Sequence, residues 1–299
     1  MLTIAQLRQA AAQSGARDIA FVEIDVMLTH LLQLFHERNL TTQVAFKGGT
    51  YLRKMVFGPR GRLSTDLDFT CRTDISRDDL ALALMEALAE PYHGLSFHFD
   101  RSKDWYQTDD GCAANPILRH AGNAKGVKIK VQISTRERPI MPVVASPQVD
   151  QAYFRDLAFS PAAIPSLALE EVVAEKIRAA SQRSKIRDLY DLSEVSQRPL
   201  RKNLIRSLAV LKLWSSRGPG LDLARLLARI RSRGVYDMAD LRNLLRRDQH
   251  PDLDGMIDRV VANFQFLGQM TDGERALAAD RSQRERALAE TLAAGLMEA

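Results

Sequence analysis

The chain has 299 residues, 45% apolar and 26% charged, which suits one large or two modest soluble globular domains and excludes a disordered or fibrous chain. Two cysteines, Cys71 and Cys112, exclude a disulfide framework, and six scattered histidines that never pair with them at ligand spacing exclude a zinc site. With a formal charge of only +5, no signal pattern at the N-terminus and no run approaching a membrane span, the expected setting is a reducing cytoplasm with no membrane partner.

In chain order, Phe21, Ile24, Leu28, Leu31, Leu32 and Phe35 recur at helical spacing between Asp18 and about Arg38. That helix is expected to pack under a first strand, Val44–Phe46. Lys47-Gly48-Gly49-Thr50 follows, where glycines let backbone N–H groups approach an anion and the Thr50 hydroxyl adds a donor. Pro59-Arg60-Gly61-Arg62 is a basic turn, either an exposed hairpin or a reach toward nucleotide or RNA phosphates. The next strand, about Ser64 to Cys71, carries Asp66 and Asp68. A period of two sends both carboxylates, and Ser64 before them, out of one face with Leu67 and Phe69 on the other. Neighbouring carboxylates repel, and Mg²⁺ relieves this because it takes one or two protein carboxylates and fills its other positions with water and phosphate oxygens. A helix over Asp78–Glu90 precedes strands at Leu95–Phe99, Trp105–Thr108, Pro116–His120 and Val127–Ser134. The last alternates cleanly, as a half-buried strand should.

After Pro161–Pro165 the period becomes 3.6. Ser166 is expected to cap a helix running to about Arg183, with Glu170 and Glu171 near its positive end. Lys176 lies along the apolar stripe of that helix, so it either snorkels to solvent or meets an anion. A shorter helix from Arg187 to about Val195 sets Asp188 and Asp191 one turn apart, flanked by Lys185 and Arg187. Either this is a network that orders a phosphate-binding lysine, or it is a surface ion-pair cluster of little weight. More helices continue to the C-terminus, broken near Gly218-Pro219-Gly220, Gly234 and Gly273. From Arg201 to His250 twelve basic residues face four acidic ones, a local +8 that leaves −3 for everything else and suggests a nucleic-acid partner. The expected organisation is an α+β domain over 1–160 and a helical domain over 161–299.

Four blocks of this sequence resemble, in order, the signature motifs of the AbiEii family. They are Lys47-Gly48-Gly49-Thr50, Ser64-x-Asp66-Leu67-Asp68-Phe69, Ala174-Glu175-Lys176-Ile177-Arg178-Ala179 and Arg187-Asp188-Leu189-Tyr190-Asp191-Leu192, together spanning about half the chain. The family consists of nucleotidyltransferase toxins of bacterial abortive-infection and toxin–antitoxin systems, the mycobacterial MenT toxins among them. The resemblance implies an α+β fold, a polymerase-β-like nucleotidyltransferase domain with a mostly helical C-terminal lobe that contributes Lys176 and Asp191. It also implies Mg²⁺-dependent transfer from an NTP, CTP or another, to RNA, with the 3′ end of tRNA foremost, so blocking translation. A cognate antitoxin is the implied protein partner.

Residue by residue, the resemblance implies that Asp66 and Asp68 hold the metal and share catalysis with Lys176, Asp188 and Asp191. Lys47, Gly48, Gly49, Thr50, Ser64 and Arg187 would bind the nucleotide. Ser64 matches a serine at which some members are switched off by phosphorylation. The sequence departs from related polymerase-β enzymes at the usual third carboxylate, where Val127–Ser134 offers Lys130 and Gln132. Either the third acid is absent, or Asp188 or Asp191 stands in for it. Two rivals are an enzyme of this fold acting on a protein or small molecule, which would not need the basic segment, and a non-catalytic RNA-binding module. Retention of Asp66, Asp68 and Lys176 together argues against the second, because unused buried charges are costly.

Overall fold

The computed structural model describes residues 3–216 and 218–297. The chain forms two compact units, the first made of Met1–Pro139, Val143–Ser166 and Asn243–Gln249, the second of Ile140–Pro142, Leu167–Arg242 and His250–Ala299.

In the first unit the helices are α1 (Ile4–Ser14), α2 (Ile19–Glu37), the single turn α3 (Gly48–Tyr51), α4 (Arg77–Ala87) and α5 (Arg101–Asp104). The strands are β1 (Val44–Lys47), β2 (Asp66–Cys71), β3 (Ser96–His98), β4 (Trp105–Thr108), β5 (Gly111–Ala114), β6 (Ile117–His120), β7 (Asn123–Lys128), β8 (Lys130–Ser134), β9 (Val144–Ser146) and β10 (Ile164–Ser166). Seven of them form a mixed sheet in the order β4-β5-β8-β2-β1-β10-β9, and β3-β6-β7 form a small one. Asp18 starts α2 by accepting the Ala20 N–H at 2.9 Å. Every residue of α2 from Asp25 to Phe35 is buried, and Phe35 meets Phe69 of β2 edge to face at 6.1 Å between ring centres. Leu28, Leu31, Leu32 and Phe35 lose all exposure, each worth about 1.5–3 kcal/mol of apolar burial. Contrary to expectation, this helix does reach membrane-spanning length, with 19 residues and a mean hydropathy of 1.3. Its apolarity is explained by the core it fills.

Two sequence expectations fail locally. Val127–Ser134 is not one strand: β7 pairs with β6 in the small sheet, and β8 joins β2 and β5 in the large one. The break falls at Ile129, which is fully buried and gives its N–H to the Pro116 carbonyl at 3.0 Å, so the apolar alternation runs unbroken across a change of sheet. Ser166 caps no helix. It ends β10 opposite Phe46, and its hydroxyl donates to the Ile164 carbonyl at 2.7 Å.

The second unit is helical: α6 (Leu169–Gln182), α7 (Ile186–Val195), α8 (Lys202–Trp214), α9 (Leu223–Ile230), α10 (Met238–Asn243), α11 (Leu253–Asn263), α12 (Asp272–Ala279) and α13 (Arg286–Met297). Helix α8 is buried from Leu204 to Leu213, and its buried cations are paired. Lys212 Nζ lies 2.6 Å from Glu171 Oε1, both fully buried, and Arg206 Nε donates to Glu274 Oε2 at 2.8 Å. The Glu171 carboxylate also accepts the N–H groups of Ile140 and Met141, each at 2.9 Å, which secures that short segment to α6.

Candidate active site

In the first unit, β1 and β2 run antiparallel with Lys47 opposite Asp68. The chain turns sharply after Lys47 because Gly48 adopts φ +85°. A Cβ there would lie 2.3 Å from Asp68 Oδ2 and 2.8 Å from Asp68 Cβ. Glycine is therefore required twice at this position, by backbone sign and by the closeness of the carboxylate. Asp66 and Asp68 share the half-exposed face of β2 while Leu67 and Phe69 enter the core.

Around this pair the polar contacts are local. Ser64 is buried, and its hydroxyl donates to Asp66 Oδ1 at 3.1 Å. The buried Thr50 hydroxyl donates to the Asp66 carbonyl at 2.5 Å. Its proton is thus committed to β2, and Thr50 ties the glycine turn to the aspartate strand instead of offering that proton outward. The basic turn divides its arginines: Arg60 is exposed, whereas Arg62 is buried with Nη1 donating to the Leu63 carbonyl at 3.2 Å. The Arg62 guanidinium lies against Gly49, where an added Cβ would come within 2.4 Å of Nη2. The parallel pairing of β2 with β8 places Lys130 beside Asp66 and Gln132 beside Asp68. No group of three or more His, Cys, Asp or Glu suited to a metal occurs among the described residues.

In the second unit, Lys176 of α6 points at α7. Its Nζ lies 3.1 Å from Asp188 Oδ1 and 2.7 Å from Asp191 Oδ2, and its side chain is only 12% exposed. It meets anions and does not snorkel. Arg183, just beyond the end of α6, adds a second cation, with Nε donating to Asp188 Oδ2 at 2.8 Å while most of its side chain stays in solvent. Burial opposes ionisation of Asp188, but the Lys176 and Arg183 charges and hydrogen bonds outweigh it and hold the carboxyl at about 2. Arg187, expected at the nucleotide, instead forks onto Asp240 with Nε and Nη2 at 2.9 and 2.5 Å.

Lys47, Gly48, Gly49, Thr50, Ser64, Asp66 and Asp68 thus cluster in the first unit, and Lys176, Asp188 and Asp191 in the second. Sequence reasoning missed Arg183, whose only signal is a cation five residues before Asp188, and the inward turn of Arg62, whose signal is its place two residues before Ser64.

Comparison with known proteins follows the same lines. The family profile for the nucleotidyl transferase AbiEii toxin of type IV toxin–antitoxin systems matches residues 30–294. The structure of MenT4, a nucleotidyltransferase toxin from Mycobacterium tuberculosis H37Rv, is 26% identical over 99% of this chain and 100% of its own, with a TM-score of 0.82. JHP933 from Helicobacter pylori is 19% identical over 84% of this chain and 95% of its own, at a TM-score of 0.45. No curated protein sequence matches the chain.

Proposed function

This chain belongs to the AbiEii nucleotidyltransferase toxin family of type IV toxin–antitoxin systems, and from that membership we propose that it transfers a nucleotide from an NTP to the 3′ end of tRNA in the cytoplasm and so stops translation. The observation that carries this reading is the pair Asp66 and Asp68 on one face of β2, pressed against a Gly48 that could be no other residue.

The donor set fits a divalent hard cation. Two same-face carboxylates, with no metal-suited group of three or more His, Cys, Asp or Glu among the described residues, leave most coordination positions to phosphate and water, the habit of Mg²⁺. When bound, Mg²⁺ would supply positive charge to the α-phosphate and make the acceptor hydroxyl easier to deprotonate. The residues do the rest. Asp66 and Asp68 would hold that cation where the reacting phosphate binds, Asp66 being held in turn by Ser64 and by the Thr50 contact to its carbonyl. The Gly48-Gly49 turn receives the triphosphate tail, with Lys47 beside it. Within the second unit, Asp188 and Asp191 hold the Lys176 ammonium in a fixed place, a preorganised cation of the kind that neutralises phosphate charge. The acceptor 3′-oxygen bonds to the α-phosphorus as its bond to the β-phosphate oxygen breaks, pyrophosphate departs and the hydroxyl proton passes to water. Arg187, engaged with Asp240, serves the shape of α7 and α10 in this scheme and not the nucleotide.

An RNA acceptor is favoured over a protein or small molecule by the basic segment, of which Arg201, Lys202, Arg231, Arg233, Arg242 and Arg247 are exposed. A cognate antitoxin follows from the family. Incubating the protein with Mg²⁺, total tRNA and each α-³²P-labelled NTP in turn should label tRNA from at least one of them. Label appearing only in protein, or nowhere, overturns the proposal.

A further inference from the structure

Beside Asp68 the polar face of the large sheet sinks into a hollow of about 160 Å³ lined by Lys47, Thr108, Asp110, Gln132, Ser134 and Arg136. Its volume is below the roughly 300 Å³ at which drug-sized ligand sites begin, so it suits a sugar–phosphate unit. With Asp68 counted, its charged, amide and hydroxyl lining is two cations, two carboxylates, one amide and two hydroxyls, and the cations, amide and hydroxyls are groups that recognise phosphate and ribose hydroxyls. Arg136 is the distinctive member. Its Nη1 lies 2.8 Å from Asp110 Oδ1, while its Nε is buried with no hydrogen-bond partner. A buried guanidinium donor without an acceptor is costly unless a ligand supplies one.

The position of the hollow follows from the strand order. On the nucleotidyl-transfer reading, on which this inference rests, the triphosphate tail lies at Gly48-Gly49, directly after β1, and the α-phosphorus lies at Asp66 and Asp68 on β2. Phosphoryl-type transfer sets the attacking and leaving oxygens roughly in line across the phosphorus. The leaving pyrophosphate is therefore on the β1 side, and the attacking hydroxyl must enter from the opposite side of β2. There the next strands are β8, β5 and β4, which with the loops after them supply most of the hollow's lining, while Lys47 at the end of β1 and Asp68 and Phe69 of β2 close its near side.

We infer that this hollow is the acceptor subsite. It seats the last ribose and phosphate of an RNA strand, with Arg136 holding the phosphate and Gln132, next to Asp68 in register, facing the ribose hydroxyls. Asp110 partly neutralises Arg136 and so keeps the subsite from trapping free anions.

The test separates acceptor from nucleotide binding. A fluorescein-labelled single-stranded ribo-oligonucleotide with a free 3′-hydroxyl is titrated by anisotropy, and Mg–NTP by calorimetry. Arg136→Gln should raise the oligonucleotide Kd about tenfold, the scale of a lost charge-assisted hydrogen bond, and leave the NTP Kd unchanged. Asp110→Asn should lower the oligonucleotide Kd, a gain that a misfolded variant cannot produce. Unchanged oligonucleotide affinity in both variants, or a shift in NTP affinity instead, overturns the subsite. Transfer by the unaltered protein is measured alongside. If it labels tRNA while both variants bind the oligonucleotide normally, the subsite alone fails; if it labels no RNA with any NTP, the activity reading fails.

Discussion

Lys176 holds two acids at once, and that double contact determines what its removal does. A lysine that merely snorkelled could become Met at no cost. Here Lys176→Met would leave Asp188 and Asp191, 3% and 2% exposed, without their shared cation. Removing one partner of a buried ion pair costs about 3–5 kcal/mol, so the variant should lose stability by denaturant titration as well as transfer activity. Asp188 also carries a pH signature. Its folded pKa of about 2 lies below the ordinary 3.8, so the stabilisation, about 2 kcal/mol by linkage, is complete above pH 4 and drains away as pH falls toward 2. In Asp188→Asn the acid limb of the stability curve should flatten, and an unaltered limb would show that the pair contributes nothing. Asp66→Asn and Asp68→Asn should match Lys176→Met in lost activity but differ from it in stability. Transfer should fall by at least about 100-fold, while the melting temperature in metal-free buffer stays level or rises as mutual repulsion is relieved. These two aspartates were legible because a strand period of two and interleaved Leu67 and Phe69 leave them one arrangement. Arg183 was not, since its reach to Asp188 exists only because α6 stops at Gln182 and the chain doubles back. The commitment of the Thr50 hydroxyl was equally hidden, because its acceptor is a backbone carbonyl brought near by strand pairing.

At the scale of elements, the entry to β2 is held by a buried network centred on Asp25 of α2. Lys54 Nζ lies 2.8 Å from Asp25 Oδ1 and donates to the Asp25 carbonyl, to Thr29 at 3.0 Å and to Tyr153 at 2.6 Å. Arg53 donates to the carbonyls of Gly58 and Gly61, fixing the turn that leads to Arg62 and Ser64. Burial pushes Lys54 down to about 8 despite the neighbouring carboxylate. Since the folded chain holds that proton less tightly than the unfolded one, Lys54 on its own makes stability rise as pH climbs from about 8 past the ordinary 10.5. Lys54→Met should lower stability, at most by about 3–5 kcal/mol because Arg53 and Tyr153 still reach the Asp25 carboxylate, and Asp25→Asn added to it should restore part of that loss. A denaturant midpoint unmoved in Lys54→Met would show the network to be idle. Nothing in the sequence announced it, because a charged pair 29 residues apart carries no periodic signal. Periodicity found α2, β1, β2 and α7 within a residue or two of their observed ends, since each buries one face or all of itself. It could not separate β7 from β8, because alternation records burial and is silent about which sheet a strand joins. Ser166 misled for a related reason: a serine before a helical period reads as a cap even where a strand pairing claims it.

For the whole molecule the question is which charges face a polyanion. The +8 between Arg201 and His250 overstates the available field, because Lys212 and Arg206 are buried against Glu171 and Glu274 and Arg233 pairs with Asp254, three acids outside that segment. The two buried pairs hold helices together, so Arg206→Met should destabilise the second unit through Glu274, left 1% exposed without its cation. Arg231 and Arg242 are different: both are exposed, and removing both should change the unfolding free energy by no more than about 1 kcal/mol. If they contact the RNA backbone, each contributes one phosphate neutralisation and its share of counterion release. The double variant Arg231→Ala/Arg242→Ala should then bind total tRNA more weakly, and the slope of log Kd against log salt should shrink by about 2. NTP affinity in the same protein should be unchanged, since neither arginine belongs to the nucleotide site proposed at Gly48-Gly49. A salt slope equal to that of the parent chain would remove these helices from the RNA path and leave tRNA binding to the first unit, with Arg136 its principal phosphate contact.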